Sequence, residues 1–154
     1  MSSSGKLRII LDSTYLLPIV GIGVEDVDEA LLLLKRLRDE DKAEYYYSPF
    51  SLLEILGKLS RLKCDQGRVS AGLTSIGEEF KLAHPTAEGY LKALVLRAKG
   101  YRDIIDLLLY ATSLTADKLL LTRDRALIEF LRENHEDVKN ILREEELLEK
   151  YGQL

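Results

Sequence analysis

The chain alternates brief apolar runs with amphipathic stretches of helix length, and that alternation restricts it to a small set of architectures. Leu7–Leu11 (LRIIL), Tyr45–Ser48 and Leu119–Thr122 are short, rich in β-formers and read as strands, with Val138–Leu142 as a fourth. Between them, the segment EDVDEALLLLKRLRDED (25–41) puts acids early, apolar residues in the middle and bases late, as an amphipathic helix and its dipole favour. Ser13 and Thr14 are positioned to cap a short helix that Pro18 and the Gly21/Gly23 pair would end. Ser48-Pro49 reads as a second helix start, and Leu52 to Leu62 carries apolar residues at helical spacing. Two helices follow between Gly67 and Lys99 with a break at His84-Pro85, then Asp103–Leu114, Ala126–Arg132 and a terminal helix stopped at Gly152. Strands interleaved with helices imply a parallel sheet covered on both faces, an α/β fold in a three-layer α/β/α sandwich. At 154 residues, with no linker or repeat, one domain over 1–154 is expected.

Four acids stand where such a fold aims side chains at one point. Asp12 ends the first strand, Asp124 follows the third, Glu54 lies on an apolar helix (SPFSLLEILGKL) and Asp106 opens another (DLLLYATS). Ligands of open parallel sheets bind at the carboxyl ends of the strands. Two carboxylates about 5 Å apart repel by roughly 3 kcal/mol at an effective dielectric near 20. A converging cluster is tolerated mainly when a hard cation neutralises it. Each acid also has a plain structural use: Asp12 and Asp124 as helix caps, Glu54 as a surface residue, Asp106 as a solvated helix start.

Composition narrows the classes. The chain is 46% hydrophobic and 31% charged, a globular balance that excludes disorder. No apolar run approaches the roughly 20 residues of a membrane span, and MSSSGKLR lacks the apolar core of a signal peptide. A single cysteine, Cys64, fits a reducing cytoplasm. Scarce Asn and Gln, two of each, beside abundant Leu, Lys, Arg and Glu lean towards a thermophile. The formal charge of −4 counts against a nucleic-acid binder, although four of the acids would belong to a metal site. No Walker loop, HExxH or CxxC pattern occurs, and Gly21-Ile22-Gly23 lacks the third glycine of a dinucleotide loop. A haloacid-dehalogenase start would need a second aspartate after Asp12, and a phosphoreceiver would need paired acids and a placed lysine.

The segments LDSTYLL, SLLEILGKL and above all DLLLYATSLTADKLLLTRDRAL resemble those of PIN domains, most closely the compact kind of VapC-type toxins. The resemblance spans nearly the whole chain and implies the α/β/α sandwich. It also implies an Mg²⁺- or Mn²⁺-dependent ribonuclease, with Asp12, Glu54, Asp106 and Asp124 as the acidic quartet. Ser13 and Thr122 match accessory polar positions. Asp103, one turn before Asp106, departs from the pattern and is read either as an accessory acid or as a solvated charge; Pro18 and the glycines after it are a second departure. Asp12 and one later aspartate are expected as direct ligands, with the others acting through water.

RNA needs cations for its phosphates. Arg123 and Arg125, flanking Asp124, are the expected contacts. The bases near Glu54 (Lys58, Arg61, Lys63) and before Asp106 (Arg97, Lys99, Arg102) read as solvated faces or partner contacts. Tyr45–Tyr47 offer stacking surface but suit alternating burial better, and His84 and His135 read as surface residues. The resemblance further implies an antitoxin partner and a homodimer. A stand-alone RNA-processing nuclease and a non-catalytic PIN-fold RNA- or protein-binding module are the alternatives.

Overall fold

The structure, a computed structural model, describes residues 5–152. The expected domain span of 1–154 therefore includes residues 1–4 and 153–154, which lie outside the described residues. The chain runs β1 (Leu7–Leu11), α1 (Ser13–Leu16), a 3-10 turn (Leu17–Val20), α2 (Asp28–Asp39), β2 (Ala43–Tyr47), α3 (Pro49–Leu59), α4 (Gln66–Glu79), β3 (Lys81–Leu82), α5 (Ala87–Ala98), α6 (Ile104–Thr115), β4 (Leu119–Thr122), α7 (Arg125–Glu133), β5 (Ile141–Arg143) and α8 (Glu144–Tyr151). All strand pairings are parallel, in the order β3-β2-β1-β4-β5. Among the described residues no helix is long and apolar enough to cross a membrane.

Strand alternation divides the core in two. On one face Ile9, Leu11, Tyr45, Leu121 and Leu142 pack with apolar residues of α1, α2, α3, α4 and α8. On the other, Ile10, Tyr46, Leu120 and Ile141 pack with α5, α6 and α7. β1 is sealed on both faces, with Ile9, Ile10 and Leu11 at 2% exposure or less. That is why its inner part, Ile9-Ile10-Leu11, is a continuous apolar run rather than an alternating one.

Several sequence expectations shift. The sheet has five strands, because β3 pairs only two exposed residues with β2 and carries no apolar signal. Tyr45–Ser48 becomes Ala43–Tyr47, with Ser48 released to cap α3 through a bond from the Phe50 amide, 3.1 Å. Val138–Leu142 contracts to β5, since Val138 lies in the turn bonded back by Ile141. The cap of α1 is Asp12, not Ser13 or Thr14, and Pro18 opens the 3-10 turn instead of ending a helix. The stretch Tyr45–Tyr47 is built into the sheet, with the Tyr45 hydroxyl donating to the Leu34 carbonyl at 2.6 Å, so the first of its rings is committed to the core.

α4 crosses the 3-10 turn at Gly72, where a β-carbon would stand 2.3 Å from the Ile19 carbonyl oxygen. Only a residue without a side chain allows that approach. Gly72→Ala is expected to lower stability by about 1–3 kcal/mol, read as a lower urea midpoint at unchanged slope. An unshifted midpoint would show that α4 retreats freely.

Candidate active site

The sheet order reverses between β1 and β4: the chain winds outward to β2 and β3, then returns to β4 and β5 on the other side. Such a switch point opens a crevice at the carboxyl edge. The ladder Ile9↔Leu119, Ile10↔Leu120, Leu11↔Leu121 brings the residues after both strands to that edge. These include Asp12, Thr122 and Asp124.

Asp12 is half-buried, and its Oδ1 accepts from the Thr14 amide at 2.9 Å. Burial raises its carboxyl to about 6; bonds from the Thr122 hydroxyl and from Thr14 oppose the shift, and the Glu54 charge adds to it. Thr122, beside Asp12, fixes the turn after β4, for its oxygen accepts from the Asp124 amide at 3.0 Å. Glu54, in the second turn of α3, comes to the same place: the Ser13 hydroxyl donates to its carboxylate.

Asp106 and Asp124 form a second pair. Asp124 caps α7, with Oδ1 accepting from the Leu127 amide at 3.1 Å. Asp103 is the N-cap of α6: its Oδ1 accepts from the amides of Ile105 (3.0 Å) and Asp106 (3.2 Å). Its reading as a solvated charge therefore gives way to a structural duty that fixes where Asp106 begins its turn. Asp106 is held well above the carboxylate range, first by burial, then by the nearness of the Asp124 carboxylate and by the charges of Asp103 and Asp124. Between the pair stands Tyr101, whose hydroxyl lies 3.2 Å from Asp106 Oδ2 and 3.2 Å from Asp124 Oδ2. Burial and both carboxylates push its phenol above the ordinary range, so it stays a donor.

Arg123, expected on the RNA side, is turned into the fold. Its Nε donates to Glu144 at 2.8 Å, and its two terminal nitrogens donate to the carbonyls of Glu25 (2.7 Å) and Asp26 (2.5 Å). Tyr15, buried beneath Asp12, donates to the same Glu144 oxygen at 2.8 Å. Arg125 is exposed, 3.3 Å from Glu145. His84 and His135 are exposed, as expected of turn residues.

Sequence reasoning missed Tyr101, Tyr15 and Glu144. A tyrosine five residues before an acid carries no periodic signal, and Glu144 reads as one of several acids opening α8.

The site fits a hard divalent cation by its donor chemistry: oxygen donors only, in pairs of like charge. Among the described residues none of the four acids makes an ion pair with Lys or Arg. No three of the described acidic, histidine or cysteine side chains stand as a ready cage. Two pairs suit an ion such as Mg²⁺, which keeps several waters and takes one or two carboxylates directly.

The family model of the PIN domain matches residues 9–132. The chain belongs to the PIN domain family. Its fold is similar to that of VapBC2 from Rickettsia felis bound to a promoter DNA fragment, at TM-score 0.62 and 15% identity over 89% of this chain and 97% of that one. Similar too is PAE2754 from Pyrobaculum aerophilum, at TM-score 0.60 and 17% identity over 99% and 100%. A third is VapC20 of Mycobacterium tuberculosis, a sarcin-ricin loop cleaving toxin, at TM-score 0.52 and 18% identity over 71% and 84%. No curated protein matches the chain with significant sequence similarity.

The raised carboxyls make stability depend on pH. An acid whose folded pKa exceeds its unfolded value stabilises below the unfolded pKa, near 4, and loses that contribution as pH rises through the folded one. For Asp12 the loss sets in near the unfolded value and is complete above about pH 6, and Asp106 titrates in the same direction. In cation-free buffer Asp106→Asn is expected to be more stable than the parent at pH 8, by about 1 kcal/mol or roughly 2–4 °C in Tm. The gain shrinks towards pH 4. An equal gain at both pH values would remove the carboxylate repulsion from the account.

Proposed function

We propose that the protein is a divalent-metal-dependent endoribonuclease acting as the VapC-type toxin of a toxin–antitoxin pair. The single observation that carries this reading is that Asp106 and Asp124 both stand 3.2 Å from one hydroxyl, that of Tyr101, at the strand edge that also carries Asp12, with no Lys or Arg paired to them among the described residues. Mg²⁺ or Mn²⁺, when bound, supplies Lewis acidity toward a phosphodiester. The chain's own residues divide the rest. Asp12 and Asp124 are the direct ligands by position, at the ends of adjacent strands. Glu54 and Asp106 act from α3 and α6 through water. Thr122 fixes the turn that carries Asp124, and Ser13 holds Glu54.

The RNA contacts follow from which bases are free to move. With Arg123 engaged in the fold, Arg125 is the cation nearest Asp124. It lines a cleft of about 240 Å³ with Arg132 and Arg143. The ion pairs of Arg125 with Glu145 and of Arg143 with Glu146, 3.3 and 3.0 Å, are exposed and weak enough to exchange for phosphate. The toxin role is supported by the likeness in fold to VapBC2 and VapC20, and an antitoxin covering the acidic edge is its corollary. A homodimer is assigned to α3 and α5, where Leu53, Leu56, Leu91 and Leu94 are 50–64% exposed around the Phe50–Tyr90 contact.

Two experiments test this reading. An end-labelled RNA of mixed sequence is expected to be cut with Mg²⁺ or Mn²⁺. Cutting should stop with EDTA and fall in Asp12→Asn by at least the 10–100-fold that losing even an outer partner of a metal ligand costs; cuts that survive both treatments would rule out this site. For assembly, Leu94→Glu is expected to convert dimer to monomer by light scattering, whereas a parent that is already monomeric would refute the α3/α5 interface.

A further inference from the structure

The Tyr101 hydroxyl is equidistant from two carboxylate oxygens, Asp106 Oδ2 and Asp124 Oδ2, at 3.2 Å each. A phenol has one proton to donate, so at any instant it serves one acceptor and faces the other. Both separations exceed the roughly 2.5–2.7 Å of an unshared O–H···O⁻ bond, as a divided donor requires. The hydroxyl is not free to choose one side, because its ring is fixed from elsewhere. That ring tilts against Phe130 of α7 with centroids 4.9 Å apart. It follows Gly100, whose φ of +115° is open to glycine and strained for other residues. Asp124 is held a second time by the Leu127 amide on Oδ1, and carboxylate oxygens keep further lone pairs for an ion.

We propose that Tyr101 is a positioning residue for the divalent cation: braced on Phe130, its hydroxyl aims the Asp106 and Asp124 carboxylates at one point. This rests on the four acids being a cation site. Ligating carboxylates are commonly hydrogen-bonded by a second layer of residues, and loss of such a partner costs about 10–100-fold in metal affinity. A different role, a plug that occupies the ion's place, predicts the opposite sign, since removing a plug tightens binding.

The test is Mn²⁺ affinity of the full chain without RNA, measured from the electron paramagnetic resonance signal of free Mn²⁺. Tyr101→Phe is expected to bind Mn²⁺ about tenfold or more weakly while keeping the parent's circular dichroism. Tyr110→Phe is the control, because its hydroxyl donates to the Asp137 carbonyl at 2.7 Å; its affinity should match the parent's. Should Tyr101→Phe not fold, Phe130→Leu keeps the hydroxyl but loosens its brace, and weaker Mn²⁺ binding is again expected. Unchanged or tighter binding in a folded variant overturns the positioning role. A parent that binds no Mn²⁺ overturns the cation site itself, an outcome distinct from the first.

Discussion

The parallel hydrogen-bond ladder between β1 and β4 is the constraint on which the acidic edge depends. It joins Ile9 to Leu119 and Leu11 to Leu121, and so sets the residues after each strand side by side. Thr122 then stands beside Asp12 at the end of β4 and accepts from the Asp124 amide. A register slip of one residue would turn Thr122 to the opposite face, away from Asp12. The double-sided burial of β1 makes such a slip costly, because Ile9, Ile10 and Leu11 would exchange cores.

Helix starts and carboxylates coincide at this edge. Asp12 caps α1, Asp124 caps α7, Asp103 caps α6, and Asp106 lies in the first turn of α6. Each helix end favours a negative charge by about 0.3–1 kcal/mol, whereas two carboxylates roughly 5 Å apart repel by about 3 kcal/mol at intermediate dielectric. The dipoles soften the repulsion and do not cancel it. The Tyr101 bridge takes up part of the remainder in the cation-free chain. The structural and chemical readings of Asp12 and Asp124 thus describe one residue doing both jobs, since the amide that needs capping and the crevice that needs charge lie at the same strand end.

Much of this was legible in the residues. Continuous apolar runs identified β1 and β4, and Ser48-Pro49 located the start of α3, because burial and capping leave local patterns. The acids were legible as candidates for the same reason, each being polar in an otherwise apolar setting. β3 was not legible, as two exposed residues carry no periodicity. Nor was the inward turn of Arg123, which depends on carbonyls of Glu25 and Asp26 almost a hundred positions away. The same holds for Tyr101, whose meaning arises only when α6 and α7 pack together. Bonds between distant segments have no signature within either segment.

The span of the β1–β4 ladder bears on how the protein is made. Its partners are about 110 residues apart, and Asp106 and Asp124 come well after Asp12 and Glu54 in the order of synthesis. A polypeptide still emerging from the ribosome presents Asp12 and Glu54 long before their counterparts exist. The acidic edge is therefore incomplete until β4 has cleared the exit tunnel and closed on β1. The four acids thus become one edge only by a closure across the chain, a step that local folding of β1 or α3 cannot anticipate.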